Sequence, residues 1–106
     1  MPSPLDVFRD GALAGHVALI TGGGSGICRG IAAAYARFGA DVCIVSRKQA
    51  TLDATAAEIE AATGRKVLAV AADVRDPEAI GRAVRTTVEQ LGKLDTLVNG
   101  AAGNFL

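Results

Sequence analysis

The stretch VALITGGGSGIC, residues 17–28, decides the fold of this chain. Five apolar or β-branched residues are followed by a cluster of glycines and then by an apolar segment with helical spacing. This order predicts a buried strand, a tight turn and a helix. The first amides of such a helix lack partners within the helix, and its dipole favours an anion there. The stretch therefore predicts a binding site for the pyrophosphate of a dinucleotide.

Three residues of the turn have separate predicted roles. Gly22 takes the tight turn that leaves the strand, Gly26 lets the backbone approach phosphate, and Ser25 can add a hydroxyl donor. The alternative is a purely structural turn between strand and helix. We favour phosphate binding, because the turn separates a buried strand from an amphipathic helix.

Charge and composition exclude several classes of protein. Eleven basic residues balance eleven acidic ones, which gives no support to nucleic-acid binding or to a polybasic membrane patch. No stretch approaches the roughly 20 apolar residues of a membrane span, so we expect a soluble chain. His16 is the single histidine, and no Cys/His cluster surrounds it, so we expect a solvated side chain and no metal site. Cys28 and Cys43 lie in apolar periodic segments and not in a disulfide-dense pattern, so we expect a reducing compartment and two small buried side chains.

Strand and helix patterns alternate after a lead-in at residues 1–15, which we expect to be loosely held. The predicted strands are residues 17–21, 41–45, 67–71 and 96–98, and the predicted helices are residues 26–38, 51–62 and 77–91. We expect buried stripes on the first and third helices, formed respectively by Ile27, Ile31, Tyr35, Phe38 and by Ile80, Val84, Val88, Leu91. Asp76 is the predicted N-cap of the third helix, with Pro77 at its first position. Gly39, Gly64 and Gly92 are the predicted helix ends.

The alternation predicts an α/β fold with a doubly wound parallel sheet, here the Rossmann arrangement, in strand order 3-2-1-4. Residues 16–106 are expected to form the N-terminal part of one dinucleotide-binding domain, about half of the complete sheet. The fourth strand would then be an open edge, which favours aggregation of the isolated chain.

The end of the second predicted strand indicates which coenzyme is preferred. An acidic residue about 20 positions after the loop would hold the ribose of NAD, but this position has Arg47 and Lys48. Arg47 can bind a 2′-phosphate through two parallel hydrogen bonds, with Lys48 as auxiliary charge, so we expect NADP(H). The alternative is a solvated strand tip. Asp73, after the third strand, either accepts a hydrogen bond from the adenine amino group or caps the turn before Pro77.

The spacing Thr-Gly-x-x-x-Gly-x-Cys at residues 21–28 resembles the fingerprint of the short-chain dehydrogenase/reductase family. Ala72-Asp73-Val74 and the segment Asn99-Gly100-Ala101-Ala102-Gly103 resemble two further motifs of that family. Two positions depart from the pattern. Cys28 replaces the third glycine of the loop, and Gly100 replaces the second asparagine of the later motif.

Gly26-Ile27-Cys28-Arg29 and the final string, residues 101–106, resemble the 2,4-dienoyl-CoA reductases, especially their peroxisomal branch. The resemblance implies NADPH-dependent reduction of a dienoyl thioester in fatty-acid degradation, an acyl-CoA substrate, a homo-oligomer and a peroxisomal location, with the cytoplasm as alternative. It implies contacts to NADP(H) from Gly22, Gly23, Gly24, Ser25, Gly26, Ile27, Arg47 and Asp73. It places Arg47, Arg75 and Phe105 beside the substrate.

The resemblance also implies that the catalytic acid lies beyond the fourth strand, so no catalytic residue is expected in this chain. Tyr35, on the predicted buried stripe, is not assigned to catalysis. We therefore expect the isolated chain to be inactive. Two alternatives remain open: a generic ketone or alcohol oxidoreductase, and a non-catalytic chain that binds nucleotide or pairs with other subunits.

Overall fold

A computed structural model describes residues 11–24 and 26–100 of the 106-residue chain. Four strands and three helices alternate along these residues, as the sequence predicts. They are β1 Val17–Thr21, α1 Gly26–Arg37, β2 Asp41–Ser46, α2 Gln49–Thr63, β3 Val67–Ala71, α3 Pro77–Leu91 and β4 Thr96–Asn99. The predicted bounds of β1, β3 and α3 are confirmed, and the other elements differ by one or two residues at an end.

The four strands form one parallel sheet in the order β3-β2-β1-β4, which confirms the predicted topology. In register, Thr21 at the end of β1 lies beside Val45 of β2 and Asn99 of β4. The carboxyl ends of the two central strands and β4 therefore meet at one edge, hereafter the carboxyl edge. In open α/β sheets, ligands bind outside this edge, where the strand order reverses. Here that point lies between β1 and β4.

Adjacent residues of β1 point to opposite faces of the sheet and belong to different cores. Ile20 packs with apolar residues of α1, α2 and β2 on one face, whereas Leu19 packs with Ala83 of α3 on the other. All five residues of β1 are buried. A strand covered by helices on both faces has no polar face, which explains its continuous apolar sequence.

The predicted stripe of large apolar residues on α1 is wrong in part. The buried residues of this helix are Ala32 and Ala36, and Ile27 is 84% exposed. Helix α3 shows the same pattern: its buried residues are Ala79, Ala83 and Thr87, and Val88 is 43% exposed. Small residues face the sheet in both helices because they allow close approach of the helix backbone, and larger side chains flank the contact.

The predicted helix ends and the predicted cap of α3 are confirmed. Asp76 accepts a hydrogen bond from the amide of Glu78 at 3.0 Å, and Pro77 follows at the first helical position. Glycines end each helix with positive φ: 108° at Gly39, 72° at Gly64 and 90° at Gly92. No helix among the described residues is long and apolar enough to cross a bilayer.

His16 lies in a small polar cluster at the edge where the strands begin, hereafter the amino edge. The prediction that its side chain is solvated is wrong in part. Its Nε2 lies 2.7 Å from the Thr96 hydroxyl, and its side chain is 31% exposed. Asp95 accepts a hydrogen bond from the amide of Val17 at 2.9 Å and pairs with Lys93 at 3.1 Å. These two contacts lower the pKa of Asp95. The cluster joins the start of β1 to the start of β4.

The described part of the lead-in, residues 11–15, is a turn that packs on the end of α1. The amide of Leu13 donates to the carbonyl of Phe38 at 2.6 Å. A Cβ at Gly39 would lie 3.0 Å from the backbone nitrogen of Ala14, so the glycine permits this close approach.

Candidate functional site

The turn between β1 and α1 begins and ends with a left-handed glycine. Gly22 has φ of 79°, and its amide donates to the carbonyl of Val45 at 2.6 Å, which extends the pairing of β1 with β2. Gly26, the first residue of α1, has φ of 63°. Residues with side chains are strained in this conformation, whereas glycine is not. The backbone therefore leaves the sheet and enters α1 without strain at either glycine.

The middle of the turn lies tightly over β2. A Cβ at Gly23 would lie 2.7 Å from Cβ and Cγ2 of Ile44, a fully buried residue of the central strand. The carbonyl of Gly24 accepts a hydrogen bond from the buried Thr55 hydroxyl of α2 at 3.2 Å. Contacts with β2 and α2 thus hold the turn in place.

A cavity of about 260 Å³ opens beside this turn at the carboxyl edge. It is lined by Gly22, Gly24, Ser46, Arg47, Lys48 and Thr51. Among the described residues, its lining contains backbone, two hydroxyls and two cationic side chains, and no carboxylate. The first turn of α1 has no acidic residue either. The donors and charges of this site suit an anion.

Sequence reasoning grouped Gly22, Gly24 and Arg47, and the structure brings these three residues to one cavity. The prediction from sequence did not include Ser46 and Thr51, which also line this cavity. Both could have been recognised, because Ser46 ends the apolar run of β2 and Thr51 lies in the first turn of α2.

Asp73 and Arg75 are paired with each other in the loop after β3. The amide and Nε of Arg75 donate to Oδ1 of Asp73 at 2.9 and 3.1 Å, and the second guanidinium nitrogen donates to Oδ2 at 2.8 Å. These hydrogen bonds lower the pKa of Asp73 from 3.8 to about 2, and the charge of Arg47 adds a smaller effect. The local turn role that the sequence left open for Asp73 is present. The contact with Arg75 does not use every lone pair of the carboxylate.

Thr21 and Asn99 connect β1 to β4 at the same edge. The Thr21 hydroxyl lies 3.0 Å from Oδ1 of Asn99 and 3.4 Å from the carbonyl of Val98. The two strands therefore end at the same level beside the turn. Ser25 and Phe105, the two remaining predicted contact residues, lie outside the described residues.

Tyr35 lies far along α1 from the turn. Its ring is 6.1 Å from that of His16, which precedes β1, and both line a cavity of about 400 Å³ that includes Phe38 and Thr96. All of these residues lie at the amino edge. Neither the tyrosine nor the histidine of the chain can therefore reach the carboxyl edge. In the described part of the chain, no group of three His, Cys, Asp or Glu side chains is placed to hold a metal ion.

The sequence profile of the short chain dehydrogenase family matches residues 16–105, which include every strand and helix of the structure. The chain belongs to this family. Membership agrees with the sheet order and with the glycine turn, and it makes the chain part of an oxidoreductase family.

Relatives of the chain include named reductases. It is 44% identical over 100 residues to a peroxisomal 2,4-dienoyl-CoA reductase of Danio rerio, across 94% of this chain and 33% of the relative. It is 48% identical over 101 residues to an uncharacterized oxidoreductase of Mycobacterium tuberculosis, across 95% of this chain and 37% of the relative. The chain thus spans about a third of the length of the curated relatives it matches.

A solved structure has the same fold. The L-sorbose reductase of Gluconobacter frateurii, in complex with NADPH and L-sorbose, superposes with a TM-score of 0.79 at 36% identity. The superposition covers 84% of this chain and 34% of the reductase. The short-chain dehydrogenase fold is thus present from β1 to β4.

Proposed function

We propose that this chain binds NADP(H) and forms the dinucleotide-binding part of a reductase of 2,4-dienoyl-CoA thioesters. The observation that carries the proposal is the carboxylate-free cavity that runs from Gly22 and Gly24 to Arg47 and Lys48. A pyrophosphate fits the end of this cavity beside the turn, where the first amides of α1 are available as donors. Bound there, the coenzyme would supply the hydride of the reaction.

Arg47 is the residue that selects the phosphorylated coenzyme in this proposal. It follows the last residue of β2, is exposed, and lines the cavity with Lys48. Neither Arg47 nor Lys48 forms an ion pair with a residue in 11–24 or 26–100. A guanidinium without a carboxylate partner is available for a 2′-phosphate, which it can bind through two hydrogen bonds.

Two further contacts extend along the coenzyme. Ile27 is 84% exposed in the first turn of α1, and a ligand bound beside the turn would cover part of this apolar side chain. Asp73 is held by Arg75 but keeps lone pairs for the adenine amino group. Arg75 is 70% exposed, so its outer face can meet a phosphate of the acyl-CoA substrate while it holds Asp73.

The named dienoyl-CoA reductases at over 40% identity support the substrate class. The catalytic acid of the reaction is assigned to a segment outside residues 11–100, because Tyr35 and His16 lie at the amino edge. For the 106-residue chain we therefore expect coenzyme binding without turnover. The proposed location is the peroxisome, because these relatives are named as peroxisomal enzymes. The proposed state of the complete enzyme is a homo-oligomer.

The decisive test is calorimetric titration of the folded chain with NADPH and NADH. Arg47→Ala removes a charged hydrogen-bond partner worth about 1.5–3 kcal/mol, so NADPH binding should weaken roughly 10- to 100-fold. NADH binding should change by less than about threefold, because NADH has no 2′-phosphate. Arg82→Ala, which removes an exposed arginine of α3, is the matched control and should leave both affinities unchanged. Tighter binding of NADH than of NADPH by the unaltered chain would contradict the proposal.

The second candidate is a ketone or alcohol oxidoreductase, which the superposition with L-sorbose reductase supports. Both candidates use the same coenzyme site, so substrate turnover separates them. The complete enzyme is assayed for NADPH oxidation with hexadienoyl-CoA and with L-sorbose. Consumption of the thioester alone supports the first candidate, and consumption of the sugar alone supports the second.

A further inference from the structure

The two positions that depart from the family pattern touch each other. A Cβ built at Gly100 would overlap Sγ of Cys28, and it would lie 3.5 Å from Cβ of the same cysteine. Cys28 is in the first turn of α1, and Gly100 directly follows β4. The cysteine thiol therefore occupies the space that a side chain at position 100 would need.

Space, and not backbone conformation, disfavours a side chain at position 100. The φ of Gly100 is not positive, so residues with side chains can adopt its backbone conformation without strain. Another neighbour of the hypothetical Cβ is the carbonyl oxygen of Thr21 at 3.0 Å, a tight contact that requires a shift of a few tenths of an ångström. The thiol of Cys28 is thus the nearest atom that a side chain at position 100 would meet, and it would have to move.

The contact joins the three elements that meet at the carboxyl edge. Thr21 ends β1, Cys28 lies on the helix that begins at the phosphate turn, and Gly100 continues β4. A dinucleotide in this fold crosses the sheet edge at the strand-order reversal between β1 and β4. The distance between α1 and the end of β4 therefore sets the width of the site on the side away from Arg47.

We propose that Cys28 and Gly100 are a size-matched pair that sets this width, and that Cys28 is a positioning residue for the half of the coenzyme remote from Arg47. The proposal rests on the proposed NADP(H) site. Enlarging position 100 while Cys28 is present displaces the thiol and, with it, the packing of the first turn of α1 against the end of β4. Shortening Cys28 to alanine makes room for the added methyl group and restores the spacing.

A double-mutant cycle tests the pair with Cys28→Ala, Gly100→Ala and their combination. Alanine keeps helix propensity at position 28, so the cycle isolates the thiol. Each variant is titrated with NADPH and with adenosine 2′,5′-bisphosphate, which carries the phosphates near Arg47 but lacks the nicotinamide half. Urea unfolding of the same four proteins measures stability without any ligand.

Residues in contact couple by amounts that correspond to a few-fold to about 100-fold in an equilibrium constant. We expect Gly100→Ala to weaken NADPH binding about tenfold with Cys28 present and less than about threefold in the Cys28→Ala background. Affinity for adenosine 2′,5′-bisphosphate should stay within about twofold in all four proteins. A general loss of structure would weaken both ligands, so this contrast separates positioning from mere stability.

Additive effects of the two substitutions on NADPH binding would overturn the proposal. If Gly100→Ala fails to fold, recovery of folding by the double variant supports the size match. If the double variant also fails to fold, the Thr21 carbonyl sets the limit and the proposal is wrong. Failure of the unaltered chain to bind either ligand would instead refute the proposed function, and the urea cycle would still decide whether the pair is size-matched.

Discussion

Substitution of Gly23 by alanine tests how rigidly the turn between β1 and α1 is held. The added Cβ would lie 2.7 Å from two atoms of Ile44 and 3.3 Å from the carbonyl oxygen of Ile20. Carbon atoms pack at about 3.5–4.0 Å, so the turn or the strand must move by about 1 Å. Ile44 is fully buried in β2, between β1 and β3, and cannot yield. The turn must therefore move away from the sheet.

Overpacking of this kind costs about 1–3 kcal/mol. At a urea dependence of about 2 kcal/mol per molar, a cost of about 2 kcal/mol lowers the unfolding midpoint of Gly23→Ala by about 1 M. In the proposed coenzyme site, NADPH affinity should fall as well, because the displaced turn would no longer match the pyrophosphate. Circular dichroism during urea titration measures the first effect, and calorimetry measures the second.

Gly30→Ala is the matched control for this substitution. Gly30 is an exposed residue of α1, and a Cβ there would meet no atom within 4 Å. Alanine should therefore stabilise the helix by about 0.5–1 kcal/mol and leave coenzyme binding unchanged. Equal unfolding midpoints for Gly23→Ala and the unaltered chain would refute the reasoning, since they would mean that the turn has room to spare above β2.

Three further predictions concern other parts of the chain. The pKa of Asp73 should be about 2 in NMR titrations and should move towards 3.8 in Arg75→Ala. Because the folded pKa is lowered, the stability that this carboxylate contributes to the fold is present above about pH 4 and is lost as the pH falls towards 2. An unchanged pKa of Asp73 in Arg75→Ala would contradict the pairing. Cys43 is fully buried, and burial raises the pKa of its thiol. A thiol reagent should therefore label the partly buried Cys28 at least about 100-fold faster than Cys43, and NADPH should slow the labelling of Cys28. Equal labelling rates would be inconsistent with the core position of Cys43. Asp76→Ala should cost about 1 kcal/mol by removing the N-cap of α3, whereas Glu89→Ala on the exposed side of the same helix should change the unfolding midpoint little.

The order of strands and helices follows from sequence alone. Parallel strands buried on both faces must be continuously apolar, and helices between them end where glycine permits a left-handed residue. Those two local rules locate β1, β3 and α3 to the residue. They also place Gly22 and Arg47 at one edge of the sheet, since both follow strands that run in the same direction.

The helix faces could not be assigned in the same way. Hydrophobic spacing favours the large residues of α1, such as Ile27, yet the buried residues are Ala32 and Ala36. How closely a helix approaches a sheet depends on the volumes of both surfaces, and spacing along one element does not contain that information. The pairing of Asp73 with Arg75 likewise depends on the conformation of the loop after β3.

The sequence by itself determined the glycine turn and the cation at the tip of β2, because each depends on residues close together in the chain. It also predicted the strand order, because right-handed crossovers between alternating strands and helices leave few arrangements of the sheet. Only the tertiary structure decided that Cys28 fills the space above Gly100. These residues are 72 positions apart, and their contact exists because β4 pairs with β1 directly below the first turn of α1.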